Sequence, residues 1–495
     1  MSGLLAKKPL QTSLGEAKGD HLRRVLGPWQ LVAMGIGAVI GAGIFVATGE
    51  AARNVAGPAL MISYVIAGFV CLMAALCYAE YAAMTPVAGS AYTYAYTTLG
   101  EIFAWIIGWD LILEYAVGAA TVANGWSSYL QKSILPKFDI GIPAVLQSAP
   151  LRYVAKTETF EFTGSLFNLP AVVVAIALTA ILVRGIKESA NVNAAMVAIK
   201  VGAVLFVILV GAFYVNPANW NDFAPYGWTG ISVFGHQLAG GTNESGAPAG
   251  VLAGAAIIFF AYIGFDAVST QAEEARNPQR DVPIGIIGSL VVCTILYIAV
   301  VAVLTGMVPY QLIDQNAGVS EAFRQVGLPK AEFLIGAAGV AGITSVLLVM
   351  LLGSARILMA MARDGLLPSL FAHVHPRYKT PWKATIAVGI GIALMAAFLP
   401  LGFLLEMTNI GTLFAFAVVC SAVLIMRYTN PTAPRPFRVP LMPVVPILGI
   451  LGCLLLMFSL PSYNWYRLFI WMGLGLVIYF LYGRRHSLLR QHQPT

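Results

Sequence analysis

Six ionisable side chains lie inside strongly apolar stretches of this chain: Glu80, Asp110, Glu114, Lys200, Asp266 and Arg356. On insertion scales a charge at the centre of a bilayer costs about 2.5–3.5 kcal/mol, so such residues usually face the protein interior and have a function. A low dielectric favours the neutral form of both lysine and carboxylic acids, which lets either group take up and release a proton. The first chemistry that the sequence suggests is therefore proton handling inside a membrane.

Three of these residues lie deepest in their stretches. Glu114 follows the start of the third apolar stretch by about twelve residues, or 18 Å at the helical rise. Lys200 lies well inside the fifth stretch, and Asp266 follows a break predicted in the sixth. We expect Glu114, Lys200 and Asp266 to form a proton-handling network. The alternative is a buried pair between Lys200 and an acid that fixes two helices without a role in transport.

The other three ionisable residues are predicted to gate or to stabilise. Glu80 and Arg356 lie nearer the ends of their stretches, where an anchoring or gating pair explains them as well as a direct role does. Asp110 precedes Glu114 by four residues and therefore lies on the same helix face. We assign all three a gating or structural role.

A glycine-rich stretch, 34–45, lies within an apolar run from about 29 to 48 and has glycines at 35, 37, 41 and 43. Because glycine weakens a helix by about 1 kcal/mol relative to alanine, we expect a break at Gly41-Ala42-Gly43. A break in hydrocarbon is tolerated only where protein or a water-filled cavity surrounds the freed backbone groups. The freed N–H groups can bind an anion such as a carboxylate. The simpler alternative is that the glycines allow another helix to pack closely.

A second interrupted helix favours the first of these interpretations. The run 251–265 is apolar, contains Gly264 near its end, and is followed at once by Asp266. If spans 1–5 and 6–10 are halves of inverted topology, the two glycine-interrupted helices occupy matching positions. Such a pair is the best sequence indication of a binding site near the membrane midplane of a secondary transporter.

The composition requires a membrane protein with many spans. Of the 495 residues, 59% are hydrophobic and 10% are charged, and the mean hydropathy is +0.80, whereas soluble domains carry about 25% charged residues. The apolar runs are too continuous for transmembrane β-strands, which alternate. We therefore predict an all-α polytopic membrane protein with twelve spans: 29–50, 58–82, 99–129, 169–184, 192–215, 250–275, 283–309, 332–362, 381–399, 401–426, 442–460 and 465–482.

The spans divide the chain into five parts. The predicted parts are an N-terminal segment (1–28), a first repeat of helices 1–5 (29–215), a second repeat of helices 6–10 (250–426), two further helices (442–482) and a tail (483–495). This arrangement places 19 of the 29 Lys and Arg residues on the side of both termini, 8 on the opposite side and 2 within spans. By the positive-inside rule, both termini are cytoplasmic.

Several other functions do not fit these residues. The basic residues cluster in alternate loops, so the net charge of +7 does not indicate nucleic acid as a partner. None of the six histidines lies in a span, so no metal site is expected there, and no phosphate-binding Gly-Lys-Ser/Thr motif is present. The spans hold no nucleophile with a base and no metal triad, so we expect no enzyme. A channel would need a continuous polar pore lining, which fits poorly with two breaks and sparse internal charges.

Several motifs occur together along nearly the whole chain: 37–45; Glu80 followed by Pro86, Gly89, Tyr92 and Tyr94; 111–115; Lys200; 260–266; 274–278; and 362–368. In combination they resemble the amino acid–polyamine–organocation superfamily, and within it the bacterial cationic amino acid transporter homologues. The resemblance implies a LeuT-type fold with two inverted five-helix repeats plus two extra helices. It also implies proton-coupled transport of amino acids by alternating access.

The resemblance further implies a site at the two breaks. Backbone N–H groups of the first helix would bind the substrate carboxylate, and backbone carbonyls of the sixth would bind the ammonium group. Lys200 would stand where sodium-coupled relatives hold an ion, so the proton is the expected coupling ion and no other cofactor is expected. The residues implied in substrate binding are Val39, Ala42, Gly43, Ile44, Phe260, Ala261, Ile263 and Met350. Those implied in the proton network are Glu114, Lys200, Asp266 and Tyr297.

The expected substrates are small neutral and/or cationic L-amino acids. Met350 is flexible and apolar, which suits a neutral side chain. Ala42 departs from the family pattern, because relatives often carry a hydroxyl residue there that can bond to the substrate or to Glu114. The alternative function is an exchanger of amino acids or polyamines for cationic substrates.

The expected partners are the L-amino acid and the lipid bilayer, and no nucleic acid is expected. The resemblance implies a location in a bacterial inner membrane. A small membrane accessory subunit is left open.

Overall fold

The computed structural model describes residues 6–8, 26–84, 90–154, 159–184, 190–233, 236–243, 246–378 and 380–491. Most of the predicted N-terminal segment, the last four residues of the tail, and the motif positions Pro86 and Gly89 lie outside these ranges. In chain order the α-helices are α1 (Pro28–Val39), α2 (Thr48–Ala51), α3 (Leu60–Met84), α4 (Ser90–Thr98), α5 (Glu101–Tyr129), α6 (Leu169–Arg184), α7 (Ala190–Gly211), α8 (Val251–Ile258), α9 (Pro278–Met307), α10 (Gly318–Gln325), α11 (Pro329–Arg363), α12 (Trp382–Phe398), α13 (Leu401–Thr429), α14 (Val444–Phe458), α15 (Tyr463–Ile478), α16 (Arg484–His486) and α17 (Leu488–Gln491).

The strands of the described part are short and lie between helices. They form three antiparallel pairs: β1 (Leu151–Val154) with β2 (Thr159–Phe162), β3 (Ile231–Val233) with β4 (His236–Ala239), and β5 (Gly241–Thr242) with β6 (Pro248–Ala249). The first pair lies between α5 and α6, and the other two precede α8. The chain is therefore a mainly helical protein with small connecting hairpins.

Eight helical stretches of the described part are long and apolar enough to cross a membrane. They are Gly43–Met84, Glu101–Phe138, Met196–Tyr214, Val251–Ser269, Pro278–Met307, Pro329–Arg363, Leu401–Thr429 and Tyr463–His486. Four shorter helices, α1, α6, α12 and α14, are also apolar. Large apolar side chains on the outer helices are exposed, among them Ile176 (54%), Leu209 (65%) and Ile470 (71%). A lipid bilayer would cover such surfaces, so the chain is a membrane protein with several apolar helices.

The helices pack so that α1 and α8 lie in the interior. α9 packs along both α1 and α3, while α11 and α13 both pack along α5. Val39, Ile40 and Ile258, which end α1 and α8, are at most 3% exposed. The ends of these two helices are therefore enclosed by protein rather than by lipid.

Glu80 on α3 forms a buried ion pair with the last turn of α13 and with the segment that follows it. It is fully buried, and its carboxylate accepts hydrogen bonds from Arg427 Nε at 3.0 Å and Nη2 at 2.5 Å. The backbone N–H of Val439 donates to it at 2.7 Å, and Arg435 Nε lies at 3.3 Å. These contacts tie α3 to the connection between α13 and α14.

We expect Glu80→Ala to lower the free energy of unfolding by about 3–5 kcal/mol, because it leaves a partly buried arginine pair without its carboxylate. Thermal unfolding of the purified protein in detergent measures the change. The matched control is Glu321→Ala, which removes an exposed ion pair with Arg324 and is expected to cost at most about 1 kcal/mol. Equal melting temperatures for the two variants would contradict this assignment.

Candidate functional site

The first interruption separates α1 from the helical turns that follow it. α1 ends at Val39, and helical geometry resumes at Ala42, so Ile40 and Gly41 are non-helical. The predicted break, Gly41-Ala42-Gly43, shares only Gly41 with the observed one. The chain then continues as a π-helical turn, Gly43–Ala47. The first amides of this second half have no partner within their own helix, as at any helix start.

The second interruption lies where it was predicted. After α8 the chain makes a 3-10 turn, Phe259–Tyr262, then an extended residue, Ile263, and a 3-10 helix, Phe265–Glu274. Gly264 has φ +115°, a conformation that residues with a side chain rarely adopt.

The two interruptions touch each other. A Cβ atom at Gly43 would lie 2.2 Å from Ala261 Cα, and one at Gly264 would lie 2.8 Å from the carbonyl oxygen of Ala38. Glycine is therefore required at both positions, because any larger residue would push the two broken helices apart. Both glycines allow close packing, and Gly264 also lies within its break.

The carbonyl groups freed at the end of α1 are bound by side chains from other helices. An unbroken helix would pair the carbonyl of Gly37 with the N–H of Gly41. Instead, Lys200 Nζ on α7 donates to Gly37 O at 2.5 Å. The hydroxyl of Tyr297 on α9 lies 2.9 Å from Val39 O and 3.1 Å from Ala261 O, so it joins the two breaks.

The end of α8 is bound in the same way by Asn409 on α13. Its Nδ2 donates to the carbonyl oxygens of Ala256 at 3.0 Å and Ile257 at 2.8 Å, and the residue is fully buried. Sequence reasoning missed Asn409. The available signal was an amide side chain in the middle of the apolar run 401–426.

The acidic residues form a second group around Asp266, which follows the second break. Tyr115 donates to Asp266 Oδ2 at 2.6 Å, and Glu114 lies close enough to Asp266 and Asp110 to interact electrostatically. Neither carboxylate oxygen of Glu114 or of Asp110 accepts a hydrogen bond from the described residues. The nearby hydroxyl of Thr412 donates to its own helix instead.

The structure thus brings the predicted proton-network residues together in two groups rather than one. Lys200 and Tyr297 contact the main chain at the breaks, whereas Glu114 and Asp266 lie near each other. Within the described ranges, no ion pair joins Lys200 to an acid. Arg356 lies on α11 with an exposed side chain, not in the interior as its place in an apolar stretch had suggested.

The predicted substrate-binding residues surround the two breaks and are closed off from solvent. Val39, Ala42, Gly43, Ile44, Phe260, Ala261, Ile263 and Met350 are all buried. Met350 on α11 faces α5, with its sulfur 3.4 Å from the position of a Cβ atom at Gly118.

A pocket of about 360 Å³ leads toward this site from the end of the bundle that carries β1 and β2. Ala47 and Ile257, from the two interrupted helices, form part of its wall. Glu50, Asn124 and Glu406 contribute polar groups. The pocket therefore connects one surface of the protein to the second half of the first broken helix and to the first half of the second.

The chain was compared with models of protein families, and one family matches nearly all of it. The model of the family described as amino acid permease matches residues 26–480. The chain belongs to the amino acid permease family. Proteins of this family are permeases and not enzymes, and this chain is therefore a permease.

Individual relatives carry different substrates. The permease is 46% identical over 491 residues to a methylthioribose transporter of Bacillus subtilis, covering 99% of this chain and 100% of the relative. It is 46% identical over 487 residues to a branched-chain amino acid permease of the same organism, covering 98% of each. It is 39% identical over 428 residues to a vacuolar cationic amino acid transporter of Arabidopsis thaliana, covering 86% of this chain and 64% of the relative.

We expect Gly43→Ala to lower the free energy of unfolding of the permease by about 1–3 kcal/mol, the usual cost of overpacking. The added Cβ would lie 2.2 Å from Ala261 Cα, and a backbone atom cannot rotate away. Gly202→Ala on α7 is the matched control, because a Cβ there meets no atom within 4 Å. Thermal unfolding compares the two, and an unchanged melting temperature for Gly43→Ala would show that the breaks do not need this contact.

Proposed function

We propose that the permease is a secondary active transporter that takes up small neutral and/or cationic L-amino acids together with protons by alternating access. The observation that carries this proposal is the contact between two interrupted helices inside the bundle, where Gly43 lies against Ala261 and Tyr297 bonds to a carbonyl of each break. An amino acid zwitterion carries a carboxylate, which can bind freed N–H groups, and an ammonium group, which can bind freed carbonyl oxygens. No side-chain charge is needed to bind either end.

The substrate carboxylate binds the amides that begin the second half of the first helix, near Val39, Ala42, Gly43 and Ile44. A helix N-terminus favours an anion through its free N–H groups and dipole. The ammonium group binds the carbonyl oxygens of Phe260, Ala261 and Ile263. Phe260 O and Ala261 O each accept one hydrogen bond already, and each keeps a second lone pair for the substrate.

The side chain of the substrate lies toward Met350, whose sulfur and flexible stem adapt to different apolar shapes. Its position between α11 and α5 supports a wall that accepts neutral side chains. Glu114 and Asp266 stand close by, and one of them would pair with a cationic side chain.

Coupling to protons works through Lys200. A protonated Lys200 is a strong donor to Gly37 O and places a positive charge at the C-terminus of α1, where the helix dipole favours it. A neutral Lys200 bonds that carbonyl more weakly and frees α1 to move. Glu114, Asp266 and Tyr297 complete the proton network, and Asp110, Glu80 and Arg356 gate or stabilise; no cofactor besides the proton is required.

The proposed membrane topology has twelve spans. Helices 1–5 and 6–10 form two inverted repeats, 29–215 and 250–426, followed by helices 11 and 12 in 442–482. α1 and α8 are the broken first members of the two repeats, which supports this division. Both termini lie in the cytoplasm and the protein lies in the cell membrane, so the pocket near Ala47 opens to the outside.

Two other functions are retained as alternatives. One is exchange of cationic amino acids or polyamines, since the same site serves exchange if the return step requires a bound substrate. The other is transport of methylthioribose, which is favoured by full-length similarity to a transporter of that sugar. Methylthioribose has neither carboxylate nor ammonium, so its hydroxyl groups would bind the freed main-chain groups.

A thermal-shift screen of the purified permease against all L-amino acids, common polyamines and methylthioribose tests the proposal. A ligand that binds only the folded state adds about 2.7 kcal/mol to the free energy of unfolding at a concentration of a hundred times its Kd. The melting temperature rises as a result. We expect neutral or cationic L-amino acids to stabilise it and their α-desamino and ester analogues not to. Stabilisation by methylthioribose alone would replace the amino-acid proposal with the sugar.

We expect Lys200→Ala to abolish uptake driven by an inward proton gradient into empty vesicles, because the proton-dependent bond to Gly37 is lost. Lys330→Ala, an exposed lysine at the start of α11, is the control and should transport like the wild type. Radiolabelled uptake of the best ligand from the screen measures both. Wild-type uptake by Lys200→Ala would refute the role of Lys200, and wild-type uptake only into preloaded vesicles would establish exchange.

A further inference from the structure

α4 packs next to the acidic group of the site, Glu114 and Asp266. It packs against α5 and against the 3-10 helix Phe265–Glu274, the second half of the interrupted helix. The ring of Tyr94 on α4 stacks on Tyr81 with centroids 5.2 Å apart, and Tyr94 interacts electrostatically with Asp266. α4 therefore borders the second half of that helix, whereas the pocket is lined by Ile257 from its first half.

One buried carboxylate fixes one end of α4. Glu101, the first residue of α5, is fully buried. It accepts hydrogen bonds from Tyr96 on α4 at 3.1 Å, Tyr479 at 2.8 Å and Arg490 Nε at 2.8 Å, and also from Ser487. Two of these four donors come from the segment 486–491, which lies more than 350 residues from Glu101 in sequence.

A second acid fixes the middle of α4 and receives the same segment. Asp364, just after α11, accepts hydrogen bonds from Tyr92 on α4 at 2.6 Å and from Lys8 Nζ at 3.0 Å. Its carbonyl oxygen accepts the N–H of Leu488 at 3.1 Å. The neighbouring Gly365, at φ +78°, lies directly against the carbonyl of His486.

The segment 6–8 completes the enclosure through its main chain. The N–H of Lys8 donates to Tyr96 O at 3.1 Å, and the N–H of Glu101 donates to Ala6 O at 3.0 Å. Residues 6–8 therefore run across the junction between α4 and α5. Two segments from opposite ends of the described chain converge on one nine-residue helix.

We propose that segments 6–8 and 486–491 form a latch that positions α4 across the cytoplasmic exit, with Glu101 and Asp364 as the positioning residues. This inference rests on the proposed alternating-access cycle. Opening the exit moves α4 relative to the Phe265–Glu274 helix, and α4 cannot move while Tyr92 and Tyr96 share their acids with Lys8, Ser487 and Arg490. The strength of the latch therefore sets how often the exit opens.

The latch is suited to reversible release. Lys8 and Arg490 are partly exposed, with side-chain exposures of 13% and 20%, so water can replace their bonds when the segments lift. Glu101 keeps the hydroxyls of Tyr96 and Tyr479 as donors when Ser487 and Arg490 leave. Loss of the segments thus loosens α4 without leaving Glu101 bare.

Amide hydrogen exchange of the full chain, read by mass spectrometry, tests the latch without any ligand. We expect Arg490→Gln and Lys8→Gln each to accelerate exchange in peptides covering α4 and Phe265–Glu274 by about tenfold, because each removes a charged hydrogen bond. Exchange in α12 and α14, which contribute no hydrogen bond to the latch among the described residues, should not change. The paired variant Arg484→Gln/Arg485→Gln, two exposed arginines in the same region, is the matched control and should behave as the wild type.

Uptake of L-leucine and L-arginine by the same variants separates this inference from the proposed function. If both hold, Arg490→Gln weakens the apparent affinity for external substrate, because fewer molecules face outward. If no variant, wild type included, transports either compound while α4 still loosens, the latch stands and the proposed substrates fall. Unchanged exchange in α4, or faster exchange in all helices alike with a lower melting temperature, would overturn the latch.

Discussion

The structure depends on how main-chain groups are satisfied where two helices stop inside the protein. A helix that ends in a low-dielectric interior leaves carbonyl and N–H groups that cost several kcal/mol each if unpaired. At the end of α1, Lys200 and Tyr297 bind the freed carbonyls of Gly37 and Val39. At the end of α8, Asn409 binds those of Ala256 and Ile257. Three side chains on three different helices thus stabilise both breaks by binding their carbonyl oxygens.

The side chains that cap the breaks act on their carbonyl side. The capping groups of Lys200, Tyr297 and Asn409 all act as donors, so they bind carbonyl oxygens rather than the N–H groups after Gly41. A carboxylate is the partner that free amides at a helix start favour. Lys200 is the only one of the three that can carry a positive charge, so the strength of its hydrogen bond to Gly37 O depends on whether its amine is protonated.

The sequence predicted the interruptions better than it predicted their partners. Glycine spacing indicated both breaks, and Gly264 is non-helical as expected, but the first break begins at Ile40 rather than at Gly41. The reason is that Gly43 is used for contact with Ala261 and stays helical. Lys200 was expected near acidic residues, yet its hydrogen bond goes to a carbonyl, a partner that every residue carries and no pattern reveals. Asn409 was missed for the same reason.

The proposed recognition by main-chain groups would also explain how members of one family transport different substrates. Residues that bind through N–H and C=O groups can change their side chains without changing those contacts, provided that the glycines keep the breaks together. A relative named for methylthioribose and one named for branched-chain amino acids are each 46% identical to this chain. Under the proposed function, substrate choice would then depend on the few side chains around the breaks, such as Met350, Ala42 and Glu114. Ala42 and Met350 are buried and carry no hydrogen-bonding side chain, so they favour apolar shape over charge. Neither carboxylate oxygen of Glu114 has a hydrogen-bond partner among the described residues, so under the proposed function this acid has capacity for a cationic side chain.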